Sequence, residues 1–119
     1  MTASEKLKQK LVHAATGERC ESAAIAERFD ELYGEDEMSD AMSEFRSGQV
    51  ATNLPCDYSR HYESKSVAAE MLDGSWVGWT YWYGGGKHGE PEAIDWVDDA
   101  YDVTFVEETV VVKKFSRVE

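Results

Sequence analysis

The apolar residues of this chain change their period once, near residue 50. Over the first third they recur every three to four residues, which is the spacing of one helix face. Thr2 followed by Glu5 reads as a capping box, in which each side chain satisfies the other residue's backbone amide. Leu7, Leu11 and Ala14 follow at helical spacing, and Gly17 supplies a left-handed stop, so a first helix is predicted over residues 3–15. Ser22 is the candidate cap of a second helix, whose face carries Ile25, Phe29, Leu32 and Tyr33 and which Gly34 ends. A third and shorter helix is predicted over residues 37–46, with Met38, Met42 and Phe45 on one stripe and Gly48 behind. The pattern lapses over residues 48–57, where Pro55 marks a connection within one domain.

Beyond that connection the period falls to two. Residues 61–72 can run extended into Asp73-Gly74, a strong hairpin signal, and residues 76–83 return from it. In the returning strand Val77, Trp79, Tyr81 and Tyr83 point to one side, and Trp76, Gly78, Thr80 and Trp82 to the other. Residues 101–106 alternate again, and after Glu107-Glu108 the β-branched run 109–112 predicts the second arm of another hairpin. Between the hairpins, Pro91 can open a short helix with Ile94, Val97 and Tyr101 at spacings of three and four. Helices first and hairpins afterwards imply an α+β fold: one domain over residues 1–119, with the helical part (1–48) packed on an antiparallel sheet of about four strands (57–119).

Charge narrows the partners. The formal net charge is −12 and both halves of the chain are negative, so its field repels nucleic acid and anionic lipid and attracts basic protein surfaces. Direct nucleic-acid binding and membrane association are therefore not expected. The 12% aromatic content argues against disorder, whose signature is high net charge with few aromatics. No stretch approaches the length of a membrane span, and Cys20 and Cys56 are too few for a disulfide framework, which together fit a reducing cytoplasm.

Three features could carry function, and each has a plainer reading. The first is the aromatic strand. If helices cover one face, the other exposes Trp76 and Trp82 as anchors for a partner, unless neighbouring side chains cover them. The second is Gly84-Gly85-Gly86-Lys87-His88-Gly89, which has the spelling of a dinucleotide loop. The carboxylates of Glu90 and Glu92 just beyond it would sit where a pyrophosphate must go, so no cofactor is expected and the loop reads as a turn or a contact loop. The third is the acidic run Glu90, Glu92, Asp95, Asp98, Asp99, Asp102, Glu107 and Glu108, uninterrupted by any base. Spaced carboxylates can imitate the phosphates of a duplex, whereas the plainer reading is a solvated face that maintains solubility. The three histidines, His13, His61 and His88, have no zinc spacing among themselves or with the cysteines, and no residue is assigned a catalytic or metal role.

The segments Arg60-His61-Tyr62-Glu63-Ser64 and Asp73-Gly74-Ser75-Trp76-Val77-Gly78-Trp79-Thr80-Tyr81-Trp82-Tyr83-Gly84-Gly85-Gly86-Lys87-His88-Gly89-Glu90-Pro91-Glu92-Ala93-Ile94 resemble a family of small proteins carried by bacteriophages, prophages and other mobile elements. The resemblance implies a context and no activity: small acidic proteins of such elements often counter host defences of the CRISPR or restriction type. The expectation is a non-enzymatic protein, in the cytoplasm of a host cell, that binds and inhibits a nucleic-acid-handling complex. Its binding residues would be Glu90, Glu92, Asp95, Asp98, Asp99 and Asp102, with Trp76, Trp82, Lys87 and His88 beside them. Two alternatives stand: a small enzyme or ligand-binding domain built on the glycine loop, and an accessory protein that forms a homodimer through its aromatic sheet.

Overall fold

The computed structural model describes residues 1–56, 58–60, 62–84, 91, 94–107, 113 and 115–118. Three helices, α1 (Ala3–Thr16), α2 (Ile25–Leu32) and α3 (Asp36–Phe45), precede strands β1 (Val50–Ala51), β2 (Glu63–Glu70), β3 (Trp76–Tyr83) and β4 (Tyr101–Val103). The strands form one antiparallel sheet in the order β1-β2-β3-β4. The fold is α+β, as the change of period predicts. Among the described residues no helix is long and apolar enough to cross a membrane.

The capping box of α1 is formed. Glu5 N–H donates to the Thr2 hydroxyl at 3.2 Å, and Thr2 N–H donates to the Glu5 carboxylate at 3.1 Å. These bonds hold the Glu5 carboxyl below the usual range. At the other end Gly17, at φ 78°, donates to His13 C=O. The inward face of α1 is Ala3, Leu7, Leu11 and Val12, with Ala15 half-buried, while Ala14 is exposed. Steps of four from Ala3 keep the core stripe straight, and they leave Ala14 behind it. α2 starts at Ile25 instead of at a Ser22 cap, because residues 22–24 form a turn and Ala24 occupies the cap. Tyr33 follows α2 in extended geometry with its side chain largely outside, its ring 6.0 Å from Phe29.

One face of the sheet receives α1. Val77 and Trp79 of β3 and Val67 and Ala69 of β2 are buried there with Leu7, Leu11, Val12, Phe29, Leu32 and Met38. Trp79 is the largest fully buried side chain; its indole N–H donates to the Arg46 carbonyl at 2.8 Å, just past α3. The Arg46 guanidinium turns back to donate to Trp82 C=O at 2.6 Å and lies 5.0 Å from the Tyr81 ring, so the end of α3 is tied to β3 by three contacts. At the β2–β3 turn, Asp73 accepts from both the N–H and the hydroxyl of Ser75, which hold its carboxyl low.

Three predicted elements are corrected. The connection over residues 48–57 contains β1, whose Val50 and Ala51 pair with Ala68 and Val67. A longer strand over residues 101–106 is cut to Tyr101–Val103, whose partners are Gly78, Val77 and Trp76, so residues 104–107 leave the ladder. Among the described residues the fourth strand of the sheet is β1; the run 109–112 lies outside them. Residues 94–100 form bends and a turn in place of a helix, with the Trp96 ring packed on Trp79 and Val97 buried beside it.

Gly48 sets how closely the end of α3 meets the sheet. It sits at φ +74°, and a Cβ there would lie 2.5 Å from Val67 Cβ. Gly48→Ala is expected to cost about 2–4 kcal/mol, combining a left-handed alanine with overpacking. Gly17→Ala, at a similar φ but in open space, is expected to cost about 1 kcal/mol. Equal losses in urea denaturation would show that the Val67 contact is not a constraint. Glu5 and Asp73 have depressed native pKa values, so their contribution is complete above the unfolded carboxylate range and is lost as pH falls through the native values. Asp73→Asn should flatten the acid limb of the stability profile, measured by thermal melts at decreasing pH, and an unchanged limb would contradict the Ser75 contacts.

Candidate functional site

The acidic run is built around a buried pair. Trp96 and Val97 are 3% and 4% exposed, and the Trp96 ring lies 5.3 Å from Trp79 at a 40° tilt. With those two residues inside, Asp95, Asp98 and Asp99 face solvent. Asp98 N–H donates to the Asp95 carboxylate at 3.3 Å, which stiffens the turn. The carboxylates on this edge are thus held by a segment anchored in the core.

Two of them are engaged by α1. The Lys6 ammonium donates to Asp102 at 2.9 Å, and Lys8 lies 3.2 Å from Asp98, which also accepts from the Ser4 hydroxyl. The Asp102 bond raises the pKa of Lys6. Both lysine stems are largely covered while the two carboxylates stay more than half exposed, and Lys8 also lies 5.3 Å from the Phe29 ring. Exposed pairs of this kind contribute about 0–1 kcal/mol each, and they neutralise part of the local field. Asp99 makes no ion pair among the described residues. Glu90, Glu92, Lys87, His88 and Glu108 lie outside the described residues, as does all of the glycine loop except Gly84.

The aromatic anchors are placed elsewhere. Trp76 and Trp82 point away from the helices, and Asp102, opposite the inward-facing Val77, lies on the helix side. The acidic edge and the two tryptophans therefore do not form one continuous patch. Trp82 is half-buried, in register with Ser64. Trp76 is half-buried at the border of an open groove of about 840 Å³ whose lining includes Val50, Leu54, Ala68, Val103, Phe105 and Val106. The Phe105 ring meets Trp76 edge-on at 5.4 Å. This apolar border is invisible in the sequence, since residues 50–54 meet residues 103–106 only across the sheet.

Tyr101 completes that face. Its ring lies over Gly78, where a Cβ would come within 2.8 Å of it, so glycine is required by close approach. The Tyr101 hydroxyl is buried with no hydrogen-bond partner among the described residues. A smaller hollow of about 330 Å³ lies between α2 and the 94–98 segment, with Tyr33, Met42 and Trp96 on its walls. Among the described residues no group of three histidine, cysteine, aspartate or glutamate side chains could hold a metal ion. Comparison with protein families, with curated proteins and with solved structures finds no match to this chain.

An unpartnered buried hydroxyl costs about 1–3 kcal/mol of desolvation. Tyr101→Phe keeps the ring over Gly78 and removes that cost, so it is expected to leave stability unchanged or to raise it by up to about 1 kcal/mol. A clear loss in chemical denaturation would mean that the hydroxyl has a partner in solution.

Proposed function

We propose that this chain is a non-enzymatic interaction protein that binds a basic surface of a nucleic-acid-handling protein, with the carboxylates of the 95–102 edge in the place of phosphates. The observation that carries the reading is the Trp96-Val97 anchor: it fixes the segment to the core and turns Asp95, Asp98 and Asp99 outward, in a chain of net charge −12. Carboxylates on a held segment lose little freedom on binding, and opposite potentials steer encounter. The resemblance to proteins of bacteriophages and mobile elements adds the context, a host cytoplasm in which the bound complex belongs to a CRISPR or restriction defence and is inhibited.

Asp98 and Asp102 have a second task in holding α1, so the binding edge is best tested at Asp95 and Asp99. The experiment is a pull-down from host lysate with the native chain and with Asp95→Asn/Asp99→Asn, followed by affinity measurements on the captured protein. Native binding should fall steeply with salt and compete with duplex DNA. The double variant should bind about tenfold more weakly, since removed charges cost steering and complementarity together. A salt-insensitive affinity that survives the double substitution would sink the proposal.

A further inference from the structure

The face of the sheet opposite the helices has a shape and a chemistry of its own. Val50, Ala68, Gly78 and Tyr101 lie in one row across it, and Trp76 and Val103 in the next. Ala68 gives the row a low floor between Val50 on one side and the rings of Trp76 and Phe105 on the other. Four lining residues present apolar surface to solvent: Val50 is 48% exposed, Leu54 42%, Phe105 57% and Val106 84%. Among the described lining residues Glu107 carries the charge and none is a cation; Glu70, exposed and opposite Trp76 in register, flanks the groove, and its carbonyl accepts from Lys10 of α1.

From these features we infer that this groove is a docking site for one amphipathic α-helix of a protein partner, carrying basic residues along the borders of its apolar face. Width selects the helix. β1 and β4 are three strand spacings apart, about 14 Å, which admits one helix of about 10–12 Å diameter. An added strand would take its hydrogen bonds from a sheet edge, and a face offers none. A small ligand is disfavoured because the groove is open and its walls stay exposed, whereas small-ligand sites bury most of their occupant. Charge selects the partner. A second copy of this chain would bring another −12 and its own Glu70 and Glu107 to the same place, while a helix bordered by lysine or arginine meets them with opposite sign. The groove lies on the other side of the sheet from the Asp98 and Asp102 contacts with α1, so the inference goes beyond the acidic-edge reading.

The test uses the full chain and a synthetic peptide of about five helical turns, with leucine on one face and lysine on the other. A scrambled peptide of equal composition and a leucine–glutamate counterpart serve as controls, and affinity is read by calorimetry at physiological ionic strength. The leucine–lysine peptide should bind, and both controls should bind at least about tenfold more weakly, as expected where a hydrophobic face and charge sign act together. Phe105→Ser and, on the opposite wall, Val50→Ser should each weaken binding about five- to tenfold, which is the weight of a truncated apolar anchor. Both sites are exposed, and thermal melts verify that each variant folds. Asp95→Asn/Asp99→Asn should leave peptide affinity within about twofold, as expected for sites without shared contacts, and so separates this site from the acidic edge. The inference is overturned if the peptide does not bind, if the scrambled peptide binds equally, or if both groove variants bind like the native chain. It is also overturned if the native chain is a dimer that Val50→Ser or Phe105→Ser dissolves, because the occupant is then a second copy.

Discussion

The indole of Trp79 is the point on which this small fold depends. A buried N–H must find an acceptor, and the Arg46 carbonyl just past the end of α3 provides it at 2.8 Å. That bond fixes where the helical layer ends against β3. The Arg46 side chain then returns to the Trp82 carbonyl and the Tyr81 ring, so one residue joins the layers through its backbone and its side chain. The Trp96 ring rests on the same indole. Removing Trp79 would therefore loosen α3 and the acidic segment together.

Through Trp96, packing controls electrostatics. Residues 95–99 are Asp-Trp-Val-Asp-Asp, and burial of the two middle residues sends the carboxylates outward. The same acids then divide their roles. Asp98 and Asp102 meet Lys8 and Lys6 and hold α1 beside β4, which lowers the local negative field. Asp95 stiffens the turn, and Asp99 stays outside these contacts. Turn geometry and helix docking are thus drawn from one run of charges, and their division is set by where the lysines of α1 fall.

β3 carries large aromatics on both faces, and the two faces meet different fates. Val77 and Trp79 enter the core. On the other side Gly78 admits the Tyr101 ring, and Trp76 stands over a groove shared by the two short outer strands and the residues that follow them. β1 and β4 are two and three residues long, so the face has short edges with apolar side chains standing above them. A short edge offers little to strand-on-strand aggregation, while the face between remains open to a bulky occupant.

The sequence by itself determined the elements whose signals are local. The capping box at Thr2 and Glu5, the stop at Gly17, the helix stripe of Met38, the Asp73-Gly74 turn and the alternation of β3 each depend on neighbours within a few residues, and each is found in place. Only the tertiary structure decided the elements that depend on distant partners. β1 exists because Val50 meets Ala68, and β4 stops at Val103 because its partners end at Trp76. Ile94 and Val97 share helical spacing with Tyr101, yet Trp96 packing onto Trp79 overrides it. Likewise the eight acids look uniform in one dimension, and the approach of Lys6 and Lys8 distinguishes Asp102 and Asp98 from Asp99. Local spacing encodes a residue's own conformation, whereas its neighbours in space, and hence its charge partner or its exposure, are set when helix and sheet close on Trp79.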